Sequence, residues 1–173
     1  MIRTASTEAV FIISHGIKTS SCGNDCNRRD IMKVFDIMSD HIVTVGQSEP
    51  VTAAARLLKQ YNIGAVPVCD DRGNLRGMIT DRDITVRCVA TGLSPAETKI
   101  GDVMTRGAVT VNDNAHVGEA ARLMADAQVR RLPVCHDGRL VGMLSLADLA
   151  RNTDCDTEAA EALSEISKNI RRM

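Results

Sequence analysis

The sequence predicts an α/β protein: two β-α-β-β-α repeats packed about a pseudo-two-fold axis. Three observations carry that expectation. Segment Asp36 to Asp83 recurs as Asp102 to Asp148, with DIMSDHIVTV over DVMTRGAVTV, VTAAARLL over VGEAARLM, AVPVCDD over RLPVCHD and GMITDRDI over GMLSLADL. Within each copy the apolar pattern reads strand, helix, strand, strand, helix. The period of about 66 residues exceeds the roughly 20–50 of solenoid repeats, which favours two packed copies over an open array. The register is broken by one inserted residue, Arg72, in the turn of the first copy. A hairpin tip absorbs such an insertion because no buried backbone group depends on it.

Taken in order, residues 1–31 match neither copy and read as a partly disordered N-terminal appendage, and Met32 offers a second translation start. Val43 to Val45 is a short β-branched strand. The next helix is expected to use Ser48 as N-cap and to hold Pro50 in its first turn, where a missing N–H costs nothing. Its apolar positions Val51, Ala54, Ala55, Leu58 and Tyr61 recur as Val117, Ala120, Ala121, Met124 and Ala127. AVPVC and LRGMIT are two strands joined by an Asp/Gly-rich turn, and the second copy's Asp-Gly is the clearer hairpin signal. Pro67 and Pro133 point to a strand start or an edge position. The first two strands of each copy, joined through a helix, should run parallel. The repeats are placed at residues 32–92 and 102–151 with a linker at 93–101, where TGLSPAETK (residues 91–99) carries Gly and Pro after a helix. Residues 152–173 form an amphipathic helix whose stripe Ala159, Leu163, Ile166 and Ile170 needs a partner surface, either on the repeats or across a homodimer.

Composition narrows the function. At 173 residues, 44% apolar and 25% charged, the chain has the make-up of an ordinary soluble protein. A repeat of about 50 residues buries too little surface to stand alone, so the halves should share a core. A net charge of −1 and the lack of a long basic run argue against nucleic acid as a partner. With Phe11, Phe35 and Tyr61 the whole aromatic set, a base-stacking platform cannot be built, and a bound purine would lie between aliphatic side chains and backbone. The strongly apolar run Val10 to Ile13 is too short for a signal-peptide core, and no segment reaches membrane-spanning length. A cytoplasmic setting with reduced thiols is the expectation for the six cysteines.

The segment with most chemical content is Gly77-Met-Ile-Thr80-Asp-Arg-Asp83, matched by Gly142-Met-Leu-Ser145-Leu-Ala-Asp148. Each runs from a strand into a helix. Ser/Thr followed three residues later by an acid is a capping box, which needs no ligand. Its duplication on a strand–turn–helix background also suits a nucleoside phosphate: amides of a helix start for an anion, a carboxylate for a ribose diol, and a glycine for close approach.

These motifs resemble those of tandem cystathionine β-synthase (CBS) domains, also called a Bateman module, over Lys33 to Arg151. The GMITDRDI form followed by GDVMT is most similar to small stand-alone bacterial CBS-pair proteins, some linked to stress or dormancy. The resemblance implies AMP, ADP or ATP, with S-adenosylmethionine less favoured, in clefts between the two domains. It places Thr80 with Asp83, and Ser145 with Asp148, on ribose or phosphate. Gly64 and Ala65 in one copy and Arg130 and Arg131 in the other line the family's clefts, with Ile42 and Ala108 as adenine contacts. Arg130 and Arg131 suit phosphate through the guanidinium fork, whereas Gly64 and Ala65 cannot, and Arg82 is the first copy's substitute.

The leading expectation is therefore a regulatory sensor, assembled as a homodimer, that binds an adenine nucleotide and acts in trans on a protein effector. The competing expectation is a stress-related structural or interaction protein with vestigial clefts. No catalytic residue is assigned, since His41, His116 and His136 lack triad partners in the sequence. Cys22 and Cys26 with His15 offer three zinc ligands without an obvious fourth, so no metal site is assigned and thiol redox chemistry is set low.

Overall fold

The computed structural model describes residues 32–152 and 156–168. The appendage, Cys22, Cys26, His15 and Ile170 lie outside them. The described chain divides into two compact units, residues 43–106 and residues 32–42 with 107–168.

The first unit opens with β1 (Val45–Gly46), then α2 (Val51–Tyr61), β2 (Ala65–Cys69) and β3 (Leu75–Thr80). A single α-turn, α3 (Asp81–Asp83), passes into a π-helical stretch, Ile84–Val89. α4 (Ile100–Val103) and β4 (Thr105–Arg106) complete it. The sheet order is β1-β2-β3-β4, parallel at β1/β2 and antiparallel elsewhere. The second unit contains α1 (Val34–Ile37), β5 (Val111–Asn112), α5 (Val117–Ala127), β6 (Arg131–His136), β7 (Arg139–Ser145), α6 (Leu146–Arg151) and α7 (Asp156–Lys168). Its sheet runs β5-β6-β7, with the first pair parallel. Both repeats thus have the expected β-α-β-β-α order.

The units do not follow the sequence repeats at their openings. α4 precedes the second repeat yet packs in the first unit, where Ile100, Val103 and Met104 are buried with Val51, Val66 and Ile79. α1 precedes the first repeat yet packs in the second, with Val34 buried beside Val117, Leu132 and Leu144. Lys33 bridges to His116 and Ser39 to Met143. This exchange changes the start of α2. Pro50, rather than Ser48, is its N-cap, because the chain leading into α4 supplies the acceptors: Val51 N–H donates to the Thr98 carbonyl at 2.9 Å and Thr52 N–H to Pro95 at 3.1 Å.

Other expectations are corrected locally. Pro67 and Pro133 sit mid-strand in the central strands β2 and β6 rather than at a start or on an edge strand. β1 reaches no further than Val68 and Cys69, and β5 no further than Val134 and Cys135, so each proline lies just beyond the end of the parallel ladder. Tyr61 is 41% exposed, and Ala53 and Leu57 join Val51, Ala54 and Leu58 in the buried face of α2. On α7, Ala159, Ala162 and Ile166 are buried against the α5–α6 side while Leu163 is 51% exposed. Leu163 therefore does not pack within its own unit.

The hairpin tips follow their turn residues. Asp137 and Gly138 both take positive φ, 47° and 79°, between the paired His136 and Arg139, as a two-residue type I′ turn requires. The longer first-copy turn is closed by the Asp70 carboxylate, which accepts from the Arg72 and Asn74 backbone amides, the Asn74 side chain and Arg76.

Candidate ligand site

In the second unit β7 ends at Ser145 and α6 begins at once. Ser145 Oγ accepts from the Asp148 amide at 3.2 Å, while Asp148 Oδ2 accepts from the Ser145 amide at 2.8 Å and from its hydroxyl at 2.5 Å. The capping box is closed. Oδ1 remains, and among the described residues it meets the Arg151 guanidinium at 3.5 Å, on a side chain that is 76% exposed. Asp148, Ile37, Arg151 and Asn152 line a cavity of ≈ 440 Å³.

The backbone brings the expected arginines to this junction. Leu146 N–H donates to the Arg130 carbonyl at 3.0 Å, and Arg131 pairs directly with Ser145 across β6/β7. Both side chains are exposed, and Ala108 is half-buried ahead of β5.

The first unit repeats the frame. Asp81 N–H donates to Gly64 at 3.3 Å, Ala65 pairs with Thr80, and Asp83 Oδ2 accepts from the Thr80 amide at 3.0 Å and hydroxyl at 2.7 Å. Its remaining oxygen is occupied. Oδ1 sits 3.1 Å from Arg87 and accepts from Thr105 Oγ1 at 3.4 Å. Asp83 is 8% exposed overall. Arg82, the expected phosphate substitute, is exposed, and its backbone amide donates to Asp81. Ile42 is buried, but it groups with the second unit rather than with Gly64, Ala65, Thr80 and Asp83.

Two parts of the motif act differently from the expectation. A Cβ at Gly77 would collide with the Thr105 carbonyl oxygen, so this glycine admits strand β4 rather than a ligand ring. Its counterpart Gly142 lies against the flexible Met38 side chain, a neighbour that can give way where the Thr105 backbone cannot. The helix starting in the second copy is also short, six residues in α6, so little macrodipole accumulates there to hold an anion. Charge for a phosphate has to come from the arginines. Sequence reasoning missed Arg87 and Thr105; the i,i+4 spacing of Asp83 and Arg87 was the available signal.

Displaced proton affinities occur in the hairpins. Asp70 is lowered to about 2, chiefly by the Asn74 side-chain hydrogen bond. His136 is raised by its bond to Asp113, and partial burial raises the Cys135 thiol. His41 and His136 do have acidic neighbours, Asp40 at 2.7 Å and Asp113 at 2.9 Å. Among the described residues no three His, Cys, Asp or Glu side chains converge to hold a metal ion, and no helix is long and apolar enough to cross a membrane.

Two half-sites built on one plan, each with a hydroxyl-capped carboxylate at a strand–helix junction, match what comparison with known proteins finds. The CBS domain profile matches residues 34–89 and again 100–154. The chain belongs to the CBS-domain family. This family is a regulatory module rather than a catalytic one. The CBS domain-containing protein YhcV of Bacillus subtilis is 41% identical over 134 residues, 78% of this chain and 94% of YhcV. Hypoxic response protein 1 of Mycobacterium tuberculosis is 41% identical over 117 residues, 68% of this chain and 82% of that protein.

Solved CBS structures agree in fold. The crystal structure of Hypoxic Response Protein I, which holds two coordinated zinc ions, aligns with a TM-score of 0.66 at 40% identity, covering 70% of this chain and 98% of that one. The CBS domain pair of MJ0100, in complex with 5′-methylthioadenosine and S-adenosyl-L-methionine, aligns at 0.63 and 30% identity over 70% and 94%. CBSX2 in complex with AMP aligns at 0.60 and 30% identity over 69% and 93%. The described residues of this chain do not offer a zinc site of three or more such ligands.

Proposed function

We propose that this CBS-pair protein is a cytoplasmic sensor that binds AMP, ADP or ATP at the Ser145–Asp148 junction. As a homodimer it signals in trans to a protein effector. The observation that carries this reading is Asp148, which lines the ≈ 440 Å³ cavity with Oδ2 closing the cap and Oδ1 held only by the 3.5 Å contact to the 76%-exposed Arg151. A carboxylate oxygen in that position accepts hydrogen bonds from a ribose diol. Arg130 and Arg131, at the same junction, supply guanidinium forks for phosphate. The complexes of CBSX2 with AMP and of MJ0100 with S-adenosyl-L-methionine support the ligand class. The near full-length match to YhcV supports an effector supplied by a separate molecule. A nucleotide that binds one conformer better shifts the population toward it, and that shift is the signal.

Calorimetry and thermal shift against AMP, ADP, ATP and S-adenosylmethionine test the reading. Asp148→Ala is expected to remove most binding. Arg131→Ala should weaken AMP and ATP about tenfold or more, the effect of one charge-assisted hydrogen bond, and leave adenosine nearly unchanged. A folded-state ligand must raise the melting temperature. An unchanged melting temperature with every nucleotide would favour an interaction protein with vestigial sites, a reading for which the occupied Asp83 carboxylate already speaks in the first repeat.

A further inference from the structure

Arg87 does more than pair with Asp83. Its Nη1 lies 3.1 Å from Asp83 Oδ1, 2.8 Å from the Val103 carbonyl and 3.2 Å from Thr105 Oγ1. One guanidinium therefore ties the carboxylate of the first junction to the end of α4 and the start of β4. Thr105 closes the triangle with its own contact to Oδ1 at 3.4 Å. The second repeat has only a looser counterpart: Arg151 Nη1 lies 3.5 Å from Asp148 Oδ1 on a side chain that is 76% exposed, and no hydrogen bond from it to a neighbouring strand or helix end is found among the described residues. Asn152 stands where Arg87 stands in the first, and Ser39 where Thr105 stands. Ser39 exchanges backbone hydrogen bonds with Met143 at 2.8 and 2.9 Å, and among the described residues none is found from its hydroxyl to Asp148.

From this difference we infer that Arg87 is an internal latch: it occupies the Asp83 carboxylate in place of a ribose and makes the first half-site silent while the second binds. The inference rests on the nucleotide reading above. A ribose must displace both the guanidinium and the Thr105 hydroxyl before Asp83 can accept from its diol, and apparent affinity falls by the fraction of time the latch is open. Arg87 is 47% exposed and Asp83 11% at the side chain, so the guanidinium can swing into solvent without carrying the carboxylate with it. Arg87 thus sets which of two similar junctions takes ligand.

Calorimetry of the full chain with AMP, and separately with adenosine, provides the test. The parent chain should bind one ligand per chain, lost in Asp148→Ala. Arg87→Met keeps the aliphatic stem and removes the charge. It should open a second site for both ligands, about tenfold or more tighter than the same site in the parent, and Asp83→Ala should abolish it. Arg87→Gln, which keeps a donor for the Val103 carbonyl, replaces it should Arg87→Met fail to fold. One site in a folded Arg87 variant overturns the latch, and so do two equal sites in the parent. Loss of AMP affinity with adenosine unchanged also overturns it, since Arg87 would then be a phosphate ligand. A parent that binds no ligand while the Arg87 variant binds through Asp83 supports the latch and refutes the reading centred on Asp148. Binding by neither form refutes both.

Discussion

Lys59 on α2 and Ala125 on α5 occupy the same position in the two repeats. Lys59 is exposed to solvent, whereas Ala125 is half-buried and, with Ala121, lines a groove whose other wall is Ala162 of α7. The α7 helix is appended after the second repeat, and that repeat has a small side chain where α7 lies. The first repeat carries a long charged chain at the matching site. Core positions are held alike in both units, as with Val51 and Val117 or Ile79 and Leu144. The duplicated copies have diverged where their surroundings differ, both under α7 and at the Asp83 and Asp148 carboxylates.

The equivalence is tested most severely in the core. Ile79→Ala and Leu144→Ala each empty a fully buried matched position and should each cost about 2–5 kcal/mol by chemical denaturation. Costs differing several-fold would show that the two cores are not alike. A smaller set of changes sharpens the contrast at α7. Ala162→Asp, at 2% exposure, should cost about 3 kcal/mol, whereas Leu163→Asp, at 51%, should stay within about 0.5. Ala125→Lys should cost about 1–3 kcal/mol and Lys59→Ala close to nothing. Equal penalties at 125 and 59 would leave α7 without its role as a cover.

The gentlest test is titration, because the matched positions Asp70 and His136 respond to pH in opposite directions. Asp70 is lowered from 3.8 to about 2, so its turn-closing bonds stabilise the folded chain above pH 3.8 and are lost as pH falls toward 2. His136 is raised above 6.5 by Asp113, so its contribution is complete below 6.5 and disappears as pH climbs past the raised value. Carbon and proton chemical shifts of the two side chains, followed by NMR, report each midpoint. A His136 midpoint at 6.5, or one that Asp113→Asn leaves in place, would remove that half of the contrast.

Much of the frame was legible because it rests on local rules. The strands Ala65–Cys69 and Leu75–Thr80 fall where apolar runs and turn residues put them, and Asp137-Gly138 forms the turn that its sequence demands. Both Ser/Thr-x-x-Asp segments are capping boxes in fact. The misses share one cause, a partner distant in sequence. Ser48 is a sound N-cap by type, but carbonyls of Pro95 and Thr98 satisfy the first amides of α2. Leu163 fits a helical stripe by spacing, but the face that α7 turns toward its own unit carries Ala159, Ala162 and Ile166 instead. At the site, the hydroxyl–carboxylate pairs could be read directly, and the i,i+4 and i,i+3 spacings of Arg87 and Arg151 offered their ion pairs, but not the second contact on Asp83. That comes from Thr105, which a strand pairing brings to Asp83 from 22 positions away.

The exchanged opening segments carry a consequence for the order of synthesis. Residues 43–106 are contiguous, so every element of the first unit has left the ribosome by the time Arg106 has. Val34, made first, waits for Leu132 and Leu144, about a hundred residues downstream, before its core exists. Contacts over that separation form slowly, and domains generally fold as units during translation, the N-terminal one first. Here the earliest described residues belong to the unit that closes last. A nascent chain stalled beyond residue 106 would protect Ile100 and Val103 while leaving Val34 and Ile37 open to proteolysis.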